Sequence, residues 1–278
     1  MRVGDNHCHL NPTRGIGVKA FAKRFKSSGG WFLGLVNLTS WSYGISARSV
    51  EDFDRVYRLT VKVGRELEEE GIRVAVILGP HPAELVHLVE MGVRIDKAIG
   101  LMLKAYNLAA SYVERGIASG LGEVGRPHWS TPRRIIEACN AVLDSVLALA
   151  RELDCIIHIH AERGGLGTIE DLALRIGDFG KAVLHHAEGS YAYEAVKRGL
   201  IPSVPAKERE VARAIRGCRS FVVESDFLDD PKRPGAVVAP WSISRLFKRL
   251  VRRGILSEED AFEILVSNLE RLYEDPQL

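Results

Sequence analysis

The chain has 278 residues, with 38 Lys+Arg against 36 Asp+Glu and a formal net charge of +2. So balanced a charge excludes a polybasic protein that grips nucleic acid by bulk electrostatics. A hydrophobic fraction of 46% excludes intrinsic disorder, and the length suits one α/β barrel of roughly 250 residues. The chain opens on a short strand-like run at 4–9, followed by apolar runs at 31–38, 73–78, 118–124, 155–160, 182–186, 201–204 and 220–225. Several are rich in Val and Ile, as strands buried on both faces of a parallel sheet are. Helical spacing predicts helices between them at 49–70, 82–91, 96–115, 132–153, 168–178, 190–198, 207–216, 241–253 and 258–273. About eight strands alternating with helices predict an α/β fold. It is a single domain over 1–278, a closed or distorted TIM-like (β/α) barrel of parallel strands with outer helices.

Cys8, Cys139, Cys155 and Cys218 form no C-x-x-C pair and are expected to be reduced thiols. Residues 1–5 contain no signal-peptide core, and no window approaches the ~20 apolar residues needed to span a membrane. A cytoplasmic protein with no membrane attachment is expected, and no obligate protein partner is indicated.

Nine histidines carry more information than these totals. His7 and His9 are two apart on the first strand, so their rings face one side and suit a divalent cation. His158 and His160 repeat that spacing, and His185-His186 closes the run at 182–186. Glu123 and Asp226 each fall at a strand end. In a parallel barrel the C-terminal strand ends converge on one mouth, where an active site is expected.

In these positions the chain resembles the TatD-like metal-dependent hydrolases of the amidohydrolase superfamily. The matching stretches are DNHCHL at 5–10, LGPHPAE at 78–84, GLGEVG at 120–125, ARELDCIIHIHAE at 150–162, AVLHHAEGS at 182–190, VVESDF at 222–227 and SNLERLY at 267–273. The resemblance implies that His7 and His9 bind a first metal and that Glu123 bridges two metals. It implies that His160 and His185 bind the second. Asp226 would bind the first and take a proton from the attacking water, so Asp226 and Glu123 are the expected catalytic pair. A gapless match through 150–153 selects His160, whereas a two-residue shift would select His158. His81 would contact substrate rather than metal, and His158 and His186 would stand beside the metals or line the pocket. Glu224 reads either as a buried acceptor behind the site or as half of a structural salt bridge.

Four histidines and two carboxylates suit borderline cations such as Zn²⁺, Mn²⁺, Co²⁺ or Ni²⁺ better than an all-oxygen Ca²⁺ site, and two divalent ions, Zn, Mn or Mg, are expected. No lysine stands near Glu123 to serve as a carbamylated bridge.

Three stretches depart from the family pattern: Asn11-Pro12, Arg126-Pro127-His128-Trp129, and Ala161-Glu162-Arg163-Gly164-Gly165. They leave the expected ligands intact and alter the pocket wall. Arg126, Arg163, Lys207, Lys232 and Arg233 are candidate phosphate contacts, and Trp41, Tyr43, Trp129 and Trp241 are candidate rim aromatics. The basic stripe Arg245, Lys248, Arg249, Arg252 and Arg253 reads as the solvated face of an outer helix. The expected function is a two-metal deoxyribonuclease acting on single-stranded nucleic-acid ends. The alternatives are a hydrolase of a small-molecule ester, amide or phosphoester, and a metal-stabilised binding barrel without turnover.

Overall fold

The computed structural model describes residues 1–230 and 238–273. Nine parallel strands form one sheet: β1 Val3–His9, β2 Gly30–Val36, β3 Arg73–Leu78, β4 Gly120–Gly125, β5 Ile156–His160, β6 Ala182–Leu184, β7 Ile201–Pro205, β8 Val222–Glu224 and β9 Phe227–Leu228. Neighbours follow chain order from β1 to β8, and β9 returns to pair with β1. β8 and β9 are two halves of one barrel strand, broken at Ser225-Asp226. The first half pairs with β7, through Ser203 opposite Val222, and the second with β1, through Cys8 opposite Phe227. At the break, the Ser225 amide donates to Asp5 Oδ1 at 2.8 Å and the Asp226 amide donates to His7 O at 2.9 Å. The result is a TIM-like barrel.

The helices are α1 Val18–Ser27, α2 Val50–Glu69, α3 Pro82–Glu90, α4 Ile95–Glu114, α5 Arg133–Glu152, α6 Leu166–Ile176, α7 Ala192–Lys197, α8 Glu208–Ala214, α9 Ile243–Arg252, α10 Glu258–Phe262 and α11 Asn268–Tyr273. Ser49 and Asp52 form a reciprocal capping box that starts α2. α5 begins at Arg133 with Pro132 as its N-cap and no side-chain cap, one residue later than Thr131-Pro132 suggested.

Three differences from the sequence reading have clear causes. α1 is not among the helices the spacing predicts; it forms because Phe21, Ala22 and Phe25 bury one face. β9 is two residues long, too short for periodicity to reveal. The expected helix at 258–273 is interrupted by a π turn over Glu263–Ser267. Beyond the turn, Asn268 Nδ2 donates to the carbonyls of Arg219 and Phe221, at 2.6 and 2.7 Å, and so docks α11 below β8.

Glycine matters where β4 meets β5. Gly122 has φ 148, and a Cβ there would stand 2.8 Å from His158 Cβ. Only glycine lets the backbone before Glu123 approach β5 this closely.

Among the described residues, no helix is long and apolar enough to cross a membrane.

Candidate metal centre

Eight of the nine histidines, all but His87, gather with Glu123, Glu224 and Asp226 at the C-terminal ends of the strands. Glu123 is central, and its two oxygens face different partners. Oε1 lies 3.4 Å from His7 Nε2 and 3.5 Å from His9 Nε2. Oε2 lies 3.4 Å from His185 Nε2 and 3.8 Å from His81 Nε2. Asp226 Oδ1 faces His9 Nε2 at 3.5 Å and His185 Nε2 at 3.8 Å, while Oδ2 faces His186 Nε2 at 3.3 Å.

The proton positions follow from groups that only accept or only donate. His9 Nδ1 lies 3.0 Å from Val36 O, and His160 Nδ1 lies 2.7 Å from Arg126 O. A carbonyl cannot donate, so both Nδ1 atoms carry the hydrogen. His185 Nδ1 donates to Glu224 Oε2 at 2.8 Å, and Glu224 Oε1 accepts from the His186 amide at 3.0 Å. Glu224 is fully buried and orients His185 rather than forming a remote salt bridge.

His7 is fixed by a longer chain. Asn6 Nδ2 donates to Ser203 Oγ at 3.0 Å, and Tyr273 donates its hydroxyl to Asn6 Oδ1 at 2.8 Å. The Tyr273 oxygen must then accept from His158 Nε2, 2.9 Å away. Burial first, then the His7 ring, holds the His158 pKa well below the ordinary value. The ring is therefore neutral and its Nδ1 accepts from His7 Nδ1 at 3.1 Å. His7, His9, His160 and His185 thus all use Nδ1–H elsewhere and present an Nε2 lone pair to the cavity. His158 has both nitrogens engaged and presents none.

These lone pairs face carboxylates and one another. His7 Nε2 and His9 Nε2 are 3.2 Å apart. A cluster so rich in acceptors fits a cation. The ligand atoms of His7, His9 and Glu123, of His185, His186 and Asp226, and of His81, Glu123 and His160 each lie close enough to hold a metal ion. His81 is a poor member of its set. Its Nδ1 accepts from the Ala83 amide at 2.9 Å as the cap of α3, so the neutral ring carries its hydrogen on Nε2. Burial holds the His81 pKa down to about 4, which keeps the ring neutral. It offers the cavity a donor, not a lone pair.

The electrostatics agree. Burial opposes charge on Glu123, but His7, His81 and His185 outweigh it and hold the carboxyl well below its usual range. Asp226 is likewise lowered against burial, by its contact with His9 and by His186. Burial depresses His160 to about 3 and His185 well below the ordinary value. His9 goes the other way: burial lowers it, but Asp226 and Glu123 outweigh that and raise its pKa above 6.5.

Backbone strain gathers here too. Asp226 has φ 47 and His186 φ 58, and both are non-glycine residues in the left-handed region.

The cavity above this cluster has a volume of about 380 Å³ and is walled by Trp41, Trp129, His81, His128 and His186. Trp41 and Trp129 are 39% and 41% exposed. The other two expected rim aromatics pack instead. The Tyr43 hydroxyl accepts from the Leu38 amide at 3.0 Å inside the β2 loop. Trp241 sits against Phe21 and Phe227, beneath Arg24.

Arg126 also departs from expectation. It is 6% exposed, and its guanidinium pairs with Glu162 at 2.9 Å and with Asp171, so it braces the wall rather than facing the cavity. Arg163 stays exposed on its loop, close enough to His128 to help depress that pKa after burial, the larger cause. Lys207 is exposed at the start of α8. Lys232 and Arg233 lie outside the described residues. In the basic stripe, Arg249 and Arg253 pair with Glu208, while Leu246, Phe247 and Leu250 are buried beneath, as an outer helix requires.

Sequence reading missed Asn6, Ser203, Tyr273 and the carbonyls of Val36 and Arg126 as the groups that fix the imidazoles. Only Asn6 and Tyr273 had a signal, in the stretches at 5–10 and 267–273.

The chain is similar to several known proteins. It is 30% identical, over 99% of its own length and 96% of the relative's, to an uncharacterized protein of Methanocaldococcus jannaschii. Among solved structures it superposes on a TatD homologue from Escherichia coli with TM-score 0.69 and 21% identity, covering 99% of both chains. A hydrolase of the TatD family from Entamoeba histolytica gives 0.63 at 12% identity, over 98% of this chain and 99% of that one. A phosphotriesterase homology protein from Escherichia coli, with phosphate in its active site, gives 0.62 at 13% identity, over 99% of this chain and 100% of that one. At these identities the structural likeness is one of fold. The model of the TatD-related DNases matches residues 4–274, and the chain belongs to that family.

Proposed function

We propose that the protein is a two-metal hydrolase that cleaves phosphodiester bonds at the ends of single-stranded nucleic acid. The observation that carries this reading is the division of Glu123, with one oxygen toward His7 and His9 and the other toward His185. In this reading His7, His9, Glu123 and Asp226 hold a first divalent ion. Glu123, His160 and His185 hold a second. His160 rather than His158 is the ligand, because His158 has no free lone pair. The donor set is dominated by imidazole, which favours Zn or Mn over Mg.

When bound, the ions supply a water of lowered pKa and Lewis-acid polarisation of the scissile bond. The side chains do the rest. Asp226 keeps Oδ1 toward His9 and leaves Oδ2, beside His186 Nε2, to take a proton from the attacking water. His81 offers Nε2–H to a substrate oxygen near Glu123. Glu224, Tyr273 and the carbonyls of Val36 and Arg126 keep each imidazole in the ligating tautomer. Trp41 and Trp129 offer exposed faces on which terminal bases can stack.

A specific observation favours the alternative of a small phosphoester or ester substrate: Arg126 is paired to carboxylates and is not free to meet a nucleic-acid phosphate. Incubation with end-labelled single-stranded DNA and Mn²⁺ separates the two. Progressive, chelator-sensitive shortening that disappears in Asp226→Asn supports the nuclease. Intact DNA with metal-dependent cleavage of a small phosphodiester or ester overturns it.

A further inference from the structure

The loop after β4 carries a histidine that no ligand set above employs. Its first residue is clamped to the end of β5. The Arg126 amide donates to His160 O at 2.8 Å, and Arg126 O accepts from His160 Nδ1 at 2.7 Å. The guanidinium is held by Glu162 and Asp171. Two residues further on, His128 Nδ1 stands 3.1 Å from His160 Nε2. That spacing matches the 3.2 Å between His7 Nε2 and His9 Nε2. Two nitrogens on one ion at about 2.0–2.1 Å each are separated by roughly 3.0–3.4 Å. The neighbouring Trp129 ring meets His128 edge-on, with centroids 5.2 Å apart, and supports the imidazole from the rim.

We propose that His128 is a further ligand of the second ion, binding through Nδ1 beside His160 Nε2. This rests on the two-ion reading above. His160 donates its Nδ1 hydrogen to Arg126 O, so its neutral Nε2 is bare and, in the metal-free protein, accepts from His128 Nδ1–H. A cation on His160 Nε2 leaves no room for that hydrogen. The His128 ring then loses the proton from Nδ1 and gains one on Nε2, exchanging both with solvent at its exposed position. The ring stays neutral throughout and turns a lone pair to the ion. The second ion then has three imidazoles and Glu123, a set that favours Zn²⁺, Co²⁺ or Ni²⁺ over Mg²⁺. The contacts of the buried Arg126 with the half-exposed Glu162 and Asp171 gain a purpose, since they fix where His128 can reach.

The test is a Co²⁺ titration of the chelator-stripped full-length protein, followed by visible absorption, for the wild type, His128→Ala and His128→Gln. Thermal melting of the stripped proteins checks that the rim substitutions leave the fold intact. The expected result is two ions in the wild type. In both variants the second should bind about 10–100-fold more weakly, the first within about twofold of wild type. The absorption of the second Co²⁺ should change, and added imidazole should restore both affinity and spectrum in His128→Ala. Two ions with unchanged second affinity and spectrum in both variants would overturn this inference alone. A wild type that takes up one ion or none would overturn the two-ion reading along with it.

Discussion

The floor and the rim of the mouth are built on different terms. On the floor, His7, His9, His160 and His185 are almost fully buried, and each has its Nδ1 hydrogen assigned by a second group. At the rim, Trp41, Trp129, His128 and Arg163 are exposed. Substitutions on the floor therefore propagate along hydrogen-bond chains, while those at the rim act locally.

The sharpest way to break this contrast is at the proton acceptor. Asp226→Asn keeps the shape of the side chain but removes its basicity, and turnover should fall by about 10²–10⁴. A variant that retains its wild-type rate would remove Asp226 from that role. The next effect is one step behind the ligands. Glu224→Gln presents an amide to His185 Nδ1 and unsettles its tautomer, so metal affinity should drop about 10–100-fold, as metal titration would show. Tyr273→Phe cuts the chain from Asn6 to His158 and on to His7. Its effect should sit near the lower end of that range, about tenfold, and should weaken the ion on His7 more than the ion on His160. Smallest is the rim. Trp129→Ala should raise KM for single-stranded DNA by about fivefold, the lower end of a base-stacking contribution, with kcat changed less than KM.

The same contrast sets a pH dependence. His9 has a raised pKa, so below that value it holds a proton the first ion must displace. Metal affinity should be full above the His9 pKa and fall by about tenfold per pH unit beneath it. His160, held to about 3, stays neutral across this range and adds nothing. A titration at several pH values that shows flat affinity from mildly alkaline to mildly acidic solution would contradict the pairing of His9 with Asp226 and Glu123.

Much of the floor was legible because strand periodicity places residues two apart on one side. His7 with His9 follows from that rule, and the strand-end positions of Glu123, His185 and Asp226 follow from where the apolar runs stop. The choice between His158 and His160 did not follow, because both share the face. What separates them is Tyr273, 115 residues from His158 in the chain. Arg126 was misplaced for the same reason: Asp171, which draws it into the wall, lies 45 residues away. Trp241 and Tyr43 were read by their loop positions, yet Tyr43 is buried and Trp241 half-buried against partners from another element. The break at Ser225-Asp226 was hidden as well, because β9 is shorter than any pattern and its pairing with β1 is purely tertiary.

The central claim is that the buried Nε2 lone pairs around Glu123 are a two-cation site. Its most direct test is metal analysis of protein stripped with a chelator, reloaded with Zn²⁺ or Mn²⁺ and freed of excess, with thermal melting before and after. The account predicts two divalent ions per chain and a higher melting temperature in the loaded form. Protein that retains no ion and melts unchanged would contradict it.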